Sequence, residues 1–352
     1  MAAAVGVMAL PAGPASAKTS GWTIAQQGDP TVANGVTALS VAPAGGAWAG
    51  GFQAVGGHVT PTVQRLAGGA WVAVPAPADE LGRIEAVAPS SSTVTWAFGG
   101  SIDQNYGARW NGEGWTTTSL TPGFRVEDGV APTSDEAWAV GVIGGDRNPS
   151  GYAEHWTGGS WQQVTLPASA EAISAVPGND VWAVGQDGLQ PGAMRWDGTE
   201  WKLQTLPRVS VPTGGWAALH DVIALSSTNV WAVGGVESHC GEDGDDVCAK
   251  PLVMHFDGTK WTSTVEAQAA DKHPYRKVAS DGAGGVWLVR DSAYDPTLVH
   301  EAGGQRTEVP VPRPAGSEIA VADLAAIGTT VWAAGEASPL NEPSNSVYLK
   351  TG

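Results

Sequence analysis

Short runs of small and apolar residues closing on glycine recur along the chain, and each is centred on a tryptophan: Trp48, Trp96, Trp138, Trp182, Trp231, Trp287 and Trp332. Val181-Trp182-Ala183-Val184-Gly185 is typical, and so brief an unbroken apolar run reads as a buried strand. Successive tryptophans lie 48, 42, 44, 49, 56 and 45 residues apart, which is the length of one four-stranded propeller blade.

A second pattern follows the first in six of the seven copies, most clearly in four: basic, aromatic, any residue, Gly, two residues, Trp. It reads Arg109-Trp110-Asn111-Gly112 then Trp115, His155-Trp156-Thr157-Gly158 then Trp161, Arg195-Trp196-Asp197-Gly198 then Trp201, and His255-Phe256-Asp257-Gly258 then Trp261. Arg65, Gly68 and Trp71 form a weaker copy, and His300, Gly303 and Arg306 a decayed one. Asn-Gly and Asp-Gly between extended runs signal hairpins, because Gly tolerates the positive φ such turns need. Each repeat thus predicts four strands: an inner Ala/Val/Ser-rich one, the Trp strand, the basic-aromatic strand and an outer strand with its own Trp. The last copy ends at Gly352 without an outer strand, and Gly21-Trp22-Thr23-Ile24-Ala25 supplies one at the other end. Pairing of the two ends would close the ring and remove exposed sheet edges. The expected fold is all-β, a seven-bladed propeller over residues 18–352 as one domain.

Residues 1–17 differ in kind. Met1 to Leu10 is apolar and small, and Ala15-Ser16-Ala17 fits the cleavage site of a secretory signal. The stretch is too short to span a bilayer, so the expectation is a secreted protein with no membrane anchor. Cys240 and Cys248 flank an acidic run, and a close pair in an exported chain is expected to form a disulfide. A calcium loop needs ligands at alternate positions with a bidentate acid at the end, so the acidic run is read as a solvated, stapled loop over a calcium site, and no metal and no cofactor are expected. Formal net charge is -17 with 18 Lys and Arg, which argues against nucleic acid as a partner and fits a glycan or an extracellular protein. A monomer is expected.

Register separates scaffold from surface. Of 17 tryptophans, all but Trp216 occupy repeated positions and are assigned to packing between blades. His155, His255 and His300 share the place held by Arg elsewhere, while His58, His220, His239 and His273 are irregular and read as loop residues. Chain lengths vary at 51–61, 141–151, 207–220, 235–250 and 335–346, all on the face that carries second-to-third loops and blade-to-blade links. That face is the candidate binding surface. Its irregular residues give the candidate site: Trp216, His220, Asp221, His239, Asp243, Asp245, Arg290, Asp291 and Tyr294, with Cys240 and Cys248 as a staple. Trp216 falls in the longest blade-to-blade connection, and Arg290 stands where other copies carry Gly. Arg83, Arg125 and Arg276 precede inner strands and are expected near the channel mouth.

These repeats, with Ser-Ala-Val-Pro before the Trp run and Trp-Asp-Gly-x-x-Trp after it, resemble those of secreted bacterial, especially actinobacterial, β-propeller proteins grouped loosely with kelch, galactose-oxidase-like and Asp-box propellers. The resemblance covers nearly the whole chain after residue 17 and implies architecture more than activity. No nucleophile elbow, zinc-protease motif or phosphate loop is present. The functional expectation is therefore a non-catalytic extracellular binding or scaffold propeller. The alternative is a glycan-cleaving hydrolase or lyase on the same fold.

Overall fold

The computed structural model describes residues 21–43, 45–77, 82–101, 104–143, 151–176, 180–241, 246–267, 273–290 and 295–352. The expected signal, residues 1–17, lies outside them. All regular structure among the described residues is β-strand, in seven antiparallel four-stranded sheets. Blade one runs Asn34–Val41, Ala47–Val55, His58–Ala67 and Ala70–Val74 from inside to outside. The inner strands of blades two to seven are Arg83–Pro89, Phe124–Val130, Ala172–Val176, Trp216–Ser226, Tyr275–Ser280 and Ser317–Ile327. All seven inner strands line one central channel with a cavity of about 320 Å³. Trp22–Gln27 is the outer strand of blade seven, pairing with Asn345–Thr351 from Trp22 opposite Thr351 to Gln27 opposite Val347. The two chain ends therefore close the ring, as the repeat pattern predicts.

Turn chemistry accounts for the repeated Asx-Gly pairs. The Asp197 carboxylate accepts the Thr199 and Glu200 amides at 2.8 and 2.9 Å, and Asp257 does the same for Thr259 and Lys260 at 2.9 Å. Gly198 and Gly258 follow with φ of 97° and 92°, a region open to Gly at little steric cost. These acids are tied up in turns on the short-turn face.

Tryptophans lock the blades together. The outer-strand Trp of one blade meets the second-strand Trp of the preceding blade, edge against face: Trp71 with Trp332 at 5.6 Å, Trp115 with Trp48 at 6.5 Å, Trp161 with Trp96 and Trp201 with Trp138 at 5.3 Å, Trp261 with Trp182 at 5.7 Å, and Trp22 with Trp287 at 5.2 Å. The seam between blades five and six breaks the rule. Arg306 takes the outer Trp position there and engages Glu266 and the hydroxyl of Tyr275. Trp231, the second-strand Trp of that seam, is only half-buried, whereas its six counterparts are buried.

A bulge near the head of the inner strand is the other repeated device. Register shifts isolate Thr37, Glu85, Glu127, His220, Arg276 and Ala322 in six blades. Glu171 occupies the corresponding place in blade four, its amide donating to the Val184 carbonyl at 2.8 Å. Opposite the bulge the inner-strand backbone crowds the second strand. A Cβ on Gly141, Gly234 or Gly335 would lie 1.9–2.0 Å from the carbonyl oxygen of Arg125, Ala218 or Ala320. In blade six the inner strand begins only at Tyr275, and Arg290 occupies the glycine position.

Just inside the bulges, side chains stitch one inner strand to the next. Asp128 accepts the Ile173 amide at 2.9 Å, Asp221 that of Val278 at 2.7 Å, and Asp323 that of Leu39 at 2.7 Å. Ser174 accepts the Ala224 amide at 3.1 Å, and the Thr37 hydroxyl donates to the Ile84 carbonyl. Burial pushes the Asp128 carboxyl up to about 6 and Asp221 up to about 7. Lys277 holds the matching position in blade six. Its burial favours the neutral amine, but Asp221, Asp323 and Asp128 outweigh that and hold it charged.

Candidate functional site

The head of blade five gathers the strongest cluster at the channel mouth. Its inner, second and third strands, Trp216–Ser226, Asn229–Cys240 and Asp246–Phe256, are long and project on the variable-loop face. Cys240 and Cys248 form a disulfide near the tip, with Cys240 opposite Asp246 and Ser238 opposite Cys248. Trp216 opens the inner strand opposite Glu237. It is half-buried, and its ring meets the exposed His239 edge-on at 5.6 Å.

His220 is the bulge residue of the same strand, and its buried imidazole is held between two carboxylates. Nδ1 lies 2.6 Å from Glu171 Oε2 of blade four, and Nε2 lies 2.6 Å from Glu237 Oε1. Burial favours neutral imidazole, yet the two carboxylates outweigh it and raise the His220 pKa. Burial likewise favours protonated Glu237, but the His220 bond and charge, with Arg276 and Trp216, lower its pKa. A carboxylate oxygen at each ring nitrogen favours the imidazolium and makes a preorganised polar network. Arg276 stands at the equivalent bulge of blade six and acts on both groups. Around the rest of the mouth, Arg83 pairs with Glu85 at 2.7 Å and Arg125 with Glu127 at 3.1 Å.

Several expected site residues fall elsewhere. Trp216 and His220 are strand residues, because the inner strand of blade five starts earlier than its repeats suggest. The stretches 51–61 and 235–250 are not loops over their length: pairing continues to Val55 opposite His58 and to Cys240 opposite Asp246. Asp221 points into the channel as a stitch between strands. Arg290 does not join the mouth, since it is buried within blade six and paired with Glu308 at 3.0 Å. Asp243, Asp245, Asp291 and Tyr294 lie outside the described residues. Glu171 and Glu237 were not among the expected residues. Glu171 had a signal, because Glu127, Glu171, His220 and Arg276 each stand eleven residues before the Trp of the following strand. Glu237 had none, since its role depends on the length of the projecting ribbon.

Exposed apolar side chains concentrate on the same face. Of eight large ones among the described residues, Val55, Val59, Leu189, Val247 and Leu340 sit at or beside the tips of second-to-third hairpins. Scattered single residues are ordinary. These five stand at matching places around one face.

No protein-family model matches the chain, and no curated protein matches it in sequence. Solved structures do resemble it. YCF48 bound to a D1 peptide aligns over 97% of this chain and 98% of its own, with 15% identity and a TM-score of 0.57. U3-55K aligns over 94% and 98%, with 11% identity and a TM-score of 0.59. The β-propeller domain of the Trilobed protease from Pyrococcus furiosus, described as having an open velcro topology, aligns over 90% and 97% with 9% identity and a TM-score of 0.51. At these identities the likeness establishes the propeller fold alone.

Proposed function

We propose that this chain is a secreted, monomeric, non-catalytic binding scaffold whose variable-loop face takes a protein partner. The observation that carries the reading is the rigid assembly of Trp216, His220, Glu171 and Glu237 beside a disulfide-pinned ribbon, on the face where exposed apolar tips gather. An amphipathic aromatic held in place loses little entropy on binding. A glycan-cleaving reading needs a carboxyl free to protonate a leaving group, and both carboxylates here are engaged on one imidazole. The similar fold of YCF48 is seen with a peptide, which supports a protein over a glycan as ligand. The disulfide supports an oxidising compartment, in keeping with the signal expected at residues 1–17.

Side-by-side assays test this. The purified protein is screened against a glycan array, against polysaccharides for reducing-end release, and against a displayed library of random peptides. Peptide enrichment without glycan binding or turnover is expected. Release of reducing ends that is lost in Glu171→Gln or Glu237→Gln would overturn the reading in favour of a hydrolase.

A further inference from the structure

We infer that the groove between the blade-four hairpin and the link into blade five is a docking site for an extended peptide segment of the partner, with an apolar side chain next to Lys or Arg. This rests on the protein-binding reading above and specifies where the partner seats and what it presents.

The groove has a volume of about 600 Å³ and lies on the variable-loop face. Leu189, Leu203 and Leu206 line it with Pro191, Pro207 and Pro212. Leu189 is 63% exposed and Leu203 44% exposed, so two of the eight large exposed apolar side chains open into one depression. A water-facing leucine pair in a concave setting gains on burial in proportion to the area removed from water.

The groove is built in advance of any ligand. Residues 204–215 carry no regular structure, yet the Gln190 side-chain amide clamps them from both sides: its Oε1 accepts the Val209 amide at 3.0 Å and its Nε2 donates to the Val209 carbonyl at 3.3 Å. Val209 is buried, the Gln204 amide bonds the Ala193 carbonyl at 2.8 Å, and Gly215 closes a turn onto the Pro212 carbonyl at 3.0 Å. The lining prolines have few rotamers to freeze, so a ligand meets a surface whose ordering cost is already met. The inner end of the groove is continuous with the mouth cluster. Gly215 is followed by Trp216, and the Ala217 amide donates to the Leu189 carbonyl at 3.1 Å.

Charge selects the flanking residue. Asp187 lines the groove, is exposed, and makes no ion pair among the described residues. The neighbouring mouth offers Glu171, whose side chain is 39% exposed. Arg208 also lies on the lining and is exposed, so the groove itself carries one charge of each sign, and the bias comes from Glu171 at the mouth and from the -17 of the whole chain. An incoming segment with Lys or Arg beside its apolar residue is therefore favoured, and an acidic one is repelled.

The probe is a synthetic peptide enriched from a random-peptide display library against the intact protein. Enriched sequences should carry Leu, Ile, Met or Phe next to Lys or Arg. Leu189→Ser and Leu203→Ser should each weaken the synthetic peptide roughly tenfold, and Asp187→Asn about threefold with a weaker salt dependence, all with unchanged melting. Failure to enrich any peptide, enrichment of acidic sequences, or unchanged affinity in the leucine double variant would each overturn the inference. The two readings fail separately. Affinity lost in Trp216→Ala but kept in the leucine variants removes the groove and leaves the face. Affinity that responds only to Asn111→Ala or Lys202→Ala on the short-turn face removes both.

Discussion

Replacing Trp182 by Ala should cost far more stability than replacing Trp231, although both occupy the same place in the repeat. Trp182 is 0% exposed, with Phe256 at 5.2 Å, Trp261 at 5.7 Å and the Arg195 guanidinium 4.7 Å above its ring. A buried Trp→Ala change costs about 3–5 kcal/mol, and losing two aromatic partners, each worth about 0.5–1.5 kcal/mol, places Trp182 at the upper end. Trp231 is half-buried, lies 4.3 Å from His255 of its own blade, and donates its indole N–H to Asn229 at 3.1 Å. Blade six presents Arg306 instead of Trp, so less burial is forfeited and about 2 kcal/mol is expected. The difference of about 2–3 kcal/mol is a factor of roughly 30 or more in the unfolding equilibrium. Equilibrium urea denaturation followed by far-ultraviolet circular dichroism avoids the loss of fluorophore in each variant. Costs equal to within about 0.5 kcal/mol, with unchanged m-values, would refute the claim that stability resides in the edge-to-face contacts between blades.

Deleting residues 18–27 removes Trp22, which packs on Trp287, and exposes the edge of Asn345–Thr351; a severe fall in melting temperature and self-association in sedimentation are expected, and a monomer melting like the parent would contradict ring closure. His220→Gln should destabilise by about 3 kcal/mol, and most near pH 5 to 6. The raised His220 pKa gives stability present below about 6.5 and lost as pH rises through the folded value, while the lowered Glu237 pKa gives stability present above about 4.5 and lost as pH falls through its folded value; a pH-independent penalty by denaturant titration would contradict the ionic network. Asp221 has the opposite sign: with its pKa pushed from 3.8 up to about 7, ionising it in the fold costs stability as pH rises through that range. Asp221→Asn should therefore be better tolerated at about pH 8 than at about pH 5, and the reverse order of melting penalties would show that the carboxylate is favoured in the channel.

Architecture was legible because it repeats. Trp182 and Trp138 announce a strand, a signal copied seven times; Asp197-Gly198 announces a turn that recurs at Asn111-Gly112 and Asp257-Gly258, and Trp22 supplies the outer strand that the seventh copy lacks. The site was legible only in part, because it depends on departures from the repeat. Trp216 stood out by lacking a register, and the structure places it at the head of blade five beside His239. His220 looked like a loop residue because the residue type at the bulge varies from blade to blade, leaving only its distance to the following Trp as a signal. Its partner Glu171 lies 49 positions earlier, in another blade, and counting back from the Trp strands would have joined the two. Arg290 misled for the opposite reason. A break in the glycine pattern suggested function, whereas the short inner strand of blade six and the Glu308 carboxylate account for it in packing terms.

Hydrogen–deuterium exchange with and without the bound synthetic peptide, mapped over the whole ring, tests the assignment of the binding face most directly. Protection is predicted at 187–191, 204–220 and 237–240, with the short-turn hairpins at 111–114, 197–200 and 257–260 unchanged. Protection confined to those hairpins, or to the outer strands, would contradict the account.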